Sequence, residues 1–192
     1  MFSQTDLSPM TTLAEALAVF EKADVLYTKP QVEDALDNMG REITAALGDK
    51  EPVVLCIMLG GLVPTGKLMD RLTFPLQLNY VHATRYDGAT SGGELRWVAK
   101  PECSLQGRVV LLVDDILDEG LTLAAIHQSC LALGASRVYS AVLVEKRHQR
   151  KNDYQASFVG LQVEDRYVFG YGMDYKGYLR NAPGIYAVSE NG

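Results

Sequence analysis

Val109-Val-Leu-Leu-Val-Asp-Asp-Ile-Leu-Asp-Glu-Gly-Leu-Thr122 decides how the rest of this 192-residue chain reads. Val109 to Val113 form an unbroken apolar run, the pattern of a strand covered on both faces. The run stops at two adjacent carboxylates, Asp114 and Asp115. Asp118, Glu119 and Gly120 follow, and a helical pattern then runs from Leu121 to Leu133, with Gly134 as its stop. A buried strand, an acidic turn and a helix N-terminus make the ligand end of an α/β unit. Carboxylates crowded into so short a turn repel one another, a cost that a cation or sugar hydroxyls would offset. The plainer reading is a polar strand end with Asp118 or Glu119 as an N-cap.

The flanking sequence repeats the same unit. Pro52 to Leu59 is a second apolar strand, Gly60-Gly61 follows, and Leu62 to Leu72 reads as a helix with Pro64 in its first turn. A glycine pair at that junction lets backbone amides approach an anion closely. Phe74 to Val81 alternates Leu76, Leu78 and Tyr80 with Pro75, Gln77 and Asn79, which predicts a strand with one face less buried. His82 to Glu94 is too polar and glycine-rich for a core element and longer than an ordinary connection, so it is expected to be a functional lid. Leu95 to Val98 resumes as a strand.

Towards the N-terminus, Thr12-Leu-Ala-Glu15 is a capping box opening a helix with Leu13, Ala16, Leu17 and Phe20 on one face. Thr28-Lys-Pro-Gln31 opens a second helix whose apolar stripe is Val32, Leu36, Met39, Ile43, Ala46 and Leu47. Towards the C-terminus, Arg137 to Val144 is an apolar strand ending at Glu145-Lys-Arg-His148. Val159 to Val163, Arg166 to Phe169 and Ile185 to Val188 are short strands, and Gly170 to Arg180 is an aromatic, glycine-rich segment. Strands alternating with helices predict an α/β domain built on a mostly parallel central sheet flanked by helices.

Bulk properties narrow the function. Apolar content of 47% and charged content of 22% are those of a globular protein with a real core. A net charge of −6 argues against a general nucleic-acid binder. Cys56, Cys103 and Cys130 are odd in number and lack metal-ligand spacing, so they read as free thiols. No leader-like N-terminus and no membrane-length apolar run are present, which predicts a cytoplasmic protein without membrane contact.

Two other nucleotide-handling readings compete for the same residues. Gly61-Leu-Val-Pro-Thr-Gly-Lys67 fits the spacing of a P-loop NTPase. Leu68, however, stands where a Mg²⁺-binding hydroxyl is needed, and Pro64 removes an amide from a loop meant to present amides. A receiver domain carries its acid pair after the first strand, whereas about a hundred residues precede Asp114 here. The turn itself fits a third reading. Amides from Asp118 to Thr122, with the Thr122 hydroxyl, can hold a phosphate monoester, and Asp114 and Asp115 can then reach the vicinal hydroxyls of an attached ribose.

This turn resembles the 5-phosphoribosyl-1-pyrophosphate signature of type I phosphoribosyltransferases. The resemblance runs from about Pro52 to Val188 and is nearest to the hypoxanthine-guanine branch. It implies a single phosphoribosyltransferase domain over residues 1–192, with a Rossmann-like sheet, a mobile lid and a small hood made by the terminal segments. The implied reaction joins hypoxanthine or guanine to 5-phosphoribosyl-1-pyrophosphate with release of pyrophosphate. A xanthine-preferring or other base transferase, or a fold relative that binds RNA as a regulator, are the alternatives.

Residue roles follow from the resemblance alone. Asp118 is the catalytic base at purine N7. Asp114, Asp115, Asp118, Glu119, Gly120, Leu121 and Thr122 bind the ribose phosphate. Leu59, Gly60, Gly61 and Arg180 meet pyrophosphate, with Leu59–Gly60 as a cis peptide. Lys146, Tyr167, Val168 and Asp174 bind the purine, and Arg85 and Tyr86 belong to the lid. Mg²⁺ is the implied cofactor, held by Asp114, Asp115 and Asp174, and the family suggests a homodimer or homotetramer. The chain departs from familiar members at Leu59, where a lysine is common, at Arg85 in place of serine, and at Glu119 in place of threonine. The Glu119 carboxylate is expected to point away from the phosphate. His82, His127 and His148 have no partner spacing and read as structural or surface residues, and Lys67 as a surface helix charge.

Overall fold

The computed structural model describes residues 11–85, 95–148 and 153–189. The chain begins with α1 (Leu13–Lys22), β1 (Asp24–Thr28) and α2 (Lys29–Leu47), then β2 (Val53–Ile57), α3 (Leu62–Met69), β3 (Gln77–Arg85) and β4 (Leu95–Ala99). It continues through β5 (Val109–Leu117), α4 (Leu121–Ala132), β6 (Arg137–Arg147), β7 (Phe158–Glu164), β8 (Val168–Phe169) and β9 (Gly184–Ala187). Six strands form a sheet in the order β4-β3-β2-β5-β6-β7, parallel except for the β3–β4 pair. A smaller antiparallel sheet, β1-β9-β8, joins the two ends of the chain into the expected hood.

The continuous apolar strands are buried on both faces, as their composition requires. In β5, Leu111 and Val113 enter the core layer shared with α2 and α3, while Val110 and Leu112 enter the layer under α4. All four are essentially without solvent contact. Truncating a leucine so placed to alanine typically costs about 2–5 kcal/mol, because the cavity left behind cannot fully collapse.

α2 carries its stripe as read: Val32, Leu36, Met39, Ile43 and Leu47 are buried, and the Thr28 N–H donates to Gln31 Oε1 at 2.9 Å. α1 is different. Thr12 Oγ1 accepts from the Glu15 N–H at 3.2 Å, but Leu13 and Leu17 are exposed, and only Ala16 of the expected face is buried. Phe20 is partly buried, its ring edge-on to Phe169 and Tyr186 of the hood. The helix therefore docks by its C-terminal half.

The structure departs from the sequence reading in several places: β2 is shorter than Pro52–Leu59, α3 ends at Met69 and not Leu72, and β6 runs on to Arg147. β1 was not anticipated, because its strand pairing comes from β9, about 160 residues away. β3 begins later than Phe74 and runs through His82 to Arg85, taking in the start of the expected lid, because β4 pairs with it there. The rest of that lid, Tyr86 to Glu94, lies outside the described residues. β5 does not stop at Val113 but continues through both carboxylates to Leu117, held by β6. Finally, the cis peptide is Met58–Leu59 and not Leu59–Gly60.

Candidate active site

Sheet order fixes where the site can be. From β2 the chain crosses through α3 to β3 on one side, and from β5 through α4 to β6 on the other, so the adjacent β2 and β5 mark the switch point of the sheet. Ligands of open α/β sheets bind in the crevice at the carboxyl ends of such a pair. The β2–β5 pairing ends at Cys56 with Val113, yet β5 goes on to Leu117 alongside β6. The overhang carries Asp114 and Asp115 past the end of β2. A cleft of about 510 Å³ opens there, lined by Ile57, Met58, Gly60, Ala83, all of Asp114 to Leu123, Asp174 and Arg180. A larger groove of about 730 Å³ runs between β1 and β7 and contains none of the residues singled out in the sequence.

The floor of the cleft is carboxylate against backbone. Asp115 is 8% exposed, and its Oδ1 accepts the Ile116 N–H at 2.8 Å, while its own N–H donates to Asp114 Oδ1 at 2.9 Å. Burial pushes both carboxyls above the usual range, and the charge of Asp115 adds to the effect on Asp114. Gly60 lies directly against this pair: a Cβ on it would meet Asp115 Oδ2 at 2.1 Å. Only glycine fits at that distance.

The helix side of the cleft is the α4 N-terminus. Gly120 is the N-cap with φ +81°, a left-handed conformation that costs glycine little, and its carbonyl accepts the Ala124 N–H at 2.9 Å. The amides of the first turn that follow have no carbonyl partner inside the helix, so they face the cleft as anion donors. Glu119 is exposed.

The third wall comes from the segment after β8. Arg180 Nη1 donates to the Gly172 carbonyl at 2.6 Å, and Nη2 pairs with Asp174 Oδ1 at 2.6 Å. The same guanidinium lies 3.9 Å from Asp115 Oδ2. Asp174 Oδ2 accepts the Gly177 N–H at 2.6 Å, which closes the turn carrying Arg180.

Asp118 links the cleft to β6. Lys146 Nζ donates to its Oδ2 at 2.8 Å, and His148 Nε2 lies 2.6 Å from its Oδ1. Register explains the meeting, since Leu117 pairs with Glu145 and the next residues of both strands emerge together. Burial alone would raise the Asp118 carboxyl, but the hydrogen bonds from Lys146 and His148 outweigh it and hold the group below its usual range. His148, read from the sequence as a structural or surface residue without a partner, has a side chain only 5% exposed and a partner in Asp118. Its spacing from Lys146 puts the two on one side of the strand end, but their meeting with Asp118 depends on the register of β6 against β5.

Other predicted residues sit further out. Leu59, Gly61, Lys146, Tyr167 and Val168 are not in the lining of the cleft among the described residues. Tyr167 is half exposed on the hood, its ring edge-on to Tyr175, and Val168 is buried in β8. Lys146 approaches that side through Asp165, 4.0 Å away. The P-loop spacing at Gly61–Lys67 is coiled into α3, and Lys67 pairs with Glu33 at 2.9 Å. His127 bonds Tyr154 Oη at 3.1 Å through Nδ1, a structural contact.

Residues 22–176 match the phosphoribosyl transferase domain family. The chain belongs to the phosphoribosyltransferases. A hypoxanthine-guanine phosphoribosyltransferase of Aquifex aeolicus is 31% identical over 175 residues, spanning 88% of this chain and 97% of the relative. A hypoxanthine-guanine-xanthine phosphoribosyltransferase of Tritrichomonas foetus is 30% identical over 168 residues, or 87% of this chain and 92% of the relative. Among solved structures, a hypoxanthine phosphoribosyltransferase from Staphylococcus aureus superposes with a TM-score of 0.84 at 25% identity, covering 91% of this chain and 96% of that one. The mixed sheet with its hood is therefore the fold of this family.

Proposed function

We propose that this phosphoribosyltransferase works in purine salvage, joining hypoxanthine or guanine to 5-phosphoribosyl-1-pyrophosphate to give IMP or GMP and pyrophosphate. The observation that carries the reading is the cleft at the β2–β5 switch point, where one turn supplies a buried acid pair, a lone carboxylate and a helix N-terminus. Those groups match a sugar, a base and a phosphate in that order.

In this reading, N9 of the purine attacks C1 of the ribose as the bond to pyrophosphate breaks, through an oxocarbenium-like transition state. The amides from Asp118 to Thr122, with the Thr122 hydroxyl, hold the 5-phosphate, and Asp114 and Asp115 hold the ribose hydroxyls. Asp118 takes the proton of purine N7. Lys146 donates to the exocyclic oxygen at C6, Tyr167 stacks on the ring, and the Val168 backbone reads the pyrimidine edge. Arg180 and the Leu59-Gly60-Gly61 backbone meet pyrophosphate. Arg85 and Tyr86 belong to a lid that excludes water, because hydrolysis of the donor is the competing reaction.

The donor set fits Mg²⁺. Burial pushes the carboxyls of Asp114 and Asp115 up, and Asp174, paired with Arg180, lines the same cleft. Among the described residues no three acidic, histidine or cysteine side chains form a cage of their own. That suits an ion that takes one or two carboxylates and completes its shell with water and substrate oxygens. When bound, it would neutralise the departing pyrophosphate.

Turnover of hypoxanthine, guanine and xanthine with the donor and Mg²⁺, followed by nucleotide absorbance and pyrophosphate release, tests the proposal. Absence of turnover with all three bases overturns it. Xanthine belongs in the panel because a relative's name includes it. A cytoplasmic setting and a homodimer or homotetramer complete the proposal. Exposed Leu59, Leu62, Leu78 and Tyr80 offer apolar surface for assembly, and light scattering reads the mass. No helix among the described residues is long and apolar enough to cross a membrane.

A further inference from the structure

Asp118 is held on both oxygens. Lys146 occupies Oδ2 at 2.8 Å and His148 faces Oδ1 at 2.6 Å, two partners from one strand end, two residues apart. A carboxylate engaged on both oxygens is a poor proton acceptor, so one partner must yield before Asp118 can act on a ring proton. The two partners are not equivalent. Lys146 has a four-carbon stem and a second carboxylate, Asp165, within 4.0 Å of its ammonium, so it can move to another acceptor. The imidazole of His148 is short, has two rotatable bonds and is 5% exposed, so it has far less room to move than the lysine.

We infer that His148 is the fixed positioning residue of the base chemistry, holding Asp118 Oδ1 so that Oδ2 faces the purine once Lys146 has moved to the purine oxygen. The inference rests on the reading of Asp118 as the proton acceptor. In the step itself the purine N7–H bond breaks and an Oδ2–H bond forms, while N9 bonds to C1 and the C1–O bond to pyrophosphate breaks. His148 donates its Nε2–H to Oδ1 before and after, and no proton crosses to it. A side chain in this role need not be charged. It needs a donor at the position of Nε2 and a packed wall behind it.

Among the described residues, the charged groups around Asp118 are Lys146 and His148 from the end of β6, Asp165 behind Lys146 from the turn between β7 and β8, and Glu119, Asp115 and Asp114 on its own segment. Of these, only Lys146 and His148 make a hydrogen bond to Asp118 among the described residues. Removing the His148 donor leaves Oδ1 without that partner and raises the proton affinity of Asp118.

The test compares the wild type with His148→Leu and His148→Gln, whose amide nitrogen can take the place of Nε2. Steady-state rates are measured against hypoxanthine and donor from acid to neutral pH. His148→Leu should lower kcat roughly tenfold to a hundredfold, leave the KM for donor within about twofold, and move the acid limb of kcat/KM for hypoxanthine to higher pH. His148→Gln should recover most of kcat and return the acid limb towards the wild-type position. If His148→Leu does not fold, His148→Asn takes its place, since its amide is too short to reach Oδ1 and it should behave as the leucine variant. Wild-type kcat and acid limb in the leucine or asparagine variant overturn the inference. So does equal impairment of the leucine and glutamine variants with an unmoved acid limb. A wild type inactive with every base overturns the parent reading instead, so the two failures are distinct.

Discussion

Gly60→Ala is the sharpest perturbation the cleft permits, because it adds one methyl group and removes no polar atom. The Cβ of the new residue would lie 2.1 Å from Asp115 Oδ2, 2.4 Å from its Cγ and 2.6 Å from Oδ1. Ordinary contact begins near 3.4 Å, so the loop and the carboxylate must separate by about 1.3 Å. Asp115 cannot readily swing away: it is buried, its Oδ1 is tied to the Ile116 N–H, and Arg180 lies 3.9 Å from its Oδ2. The loop must yield too, yet it is pinned where the Gly61 N–H donates to the Ile57 carbonyl at 2.9 Å. Overpacking of this kind typically costs about 1–3 kcal/mol of stability. Misplacing a substrate-holding group by about 1 Å can cost on the order of a hundredfold in rate. We expect Gly60→Ala to fold, with a lowered unfolding midpoint, and to lose about a hundredfold in kcat/KM for 5-phosphoribosyl-1-pyrophosphate. Purine KM should change far less. Steady-state kinetics with hypoxanthine in excess, beside thermal unfolding, reads both. An activity within threefold of wild type, roughly 0.65 kcal/mol in barrier, would refute the contact between this loop and the acid pair as a part of the site.

Asp118→Asn should reduce kcat by roughly a hundredfold to ten-thousandfold while donor binding, read by calorimetry, persists; near-normal turnover removes Asp118 from the base role. Asp115→Asn relieves a buried like charge, so without ligand it should raise the unfolding midpoint by about 2–4 °C, and it should abolish turnover. A lowered midpoint would mean that the charge is compensated. Glu33 offers a pH test away from the cleft. Burial would raise its carboxyl, but hydrogen bonds from Tyr171, Lys67 and Arg71 prevail and hold it down to about 2, against an ordinary 4.5. A carboxyl depressed by folding adds stability above its unfolded value and loses it as pH falls from about 4.5 towards 2. Glu33→Gln should therefore cost about 1–2 kcal/mol at neutral pH, discounted for its partial exposure, and the gap should close in acid. A gap that stays constant with pH would show that packing, not charge, links α2 to Tyr171.

What the sequence disclosed was what local pattern encodes. The apolar runs of β2, β5 and β6 are continuous because both faces are buried, and the run of apolar residues in α2 recurs at helical spacing because one face is. β1 was silent, since Asp24-Val-Leu-Tyr-Thr28 acquires its pairing from the far end of the chain. The carboxyl end of β5 was misplaced for a related reason. Asp114 and Asp115 look like a strand stop, yet β6 supplies hydrogen bonds on past them, and a partner strand can override the composition of the strand it holds. The site divided along the same line. Residues joined by the β5–α4 turn could be grouped by eye, but the approach of His148 to Asp118 depends on the register of two parallel strands, which spacing along one of them does not reveal. The pairing of Arg180 with Asp174 was not legible from the sequence either.

That pairing bears on how the free cleft exists at all. Arg180 lies on Asp174 at 2.6 Å and near Asp115 at 3.9 Å, and Lys146 lies on Asp118 at 2.8 Å. Arg180 and Lys146, both proposed to meet the substrate, are thus each paired with a carboxylate proposed to meet it too. Partly exposed as they are, these side chains would lose their fixed positions if left unpaired. Paired, the groups wait near their working positions, which is the preorganisation that electrostatic catalysis needs. The arrangement also limits ground-state affinity, because a substrate must exchange these ion pairs for its own contacts and gains only the difference. Binding free energy withheld in that way remains available for contacts completed as charge develops at the sugar and the leaving group, where it raises the rate instead of lowering KM.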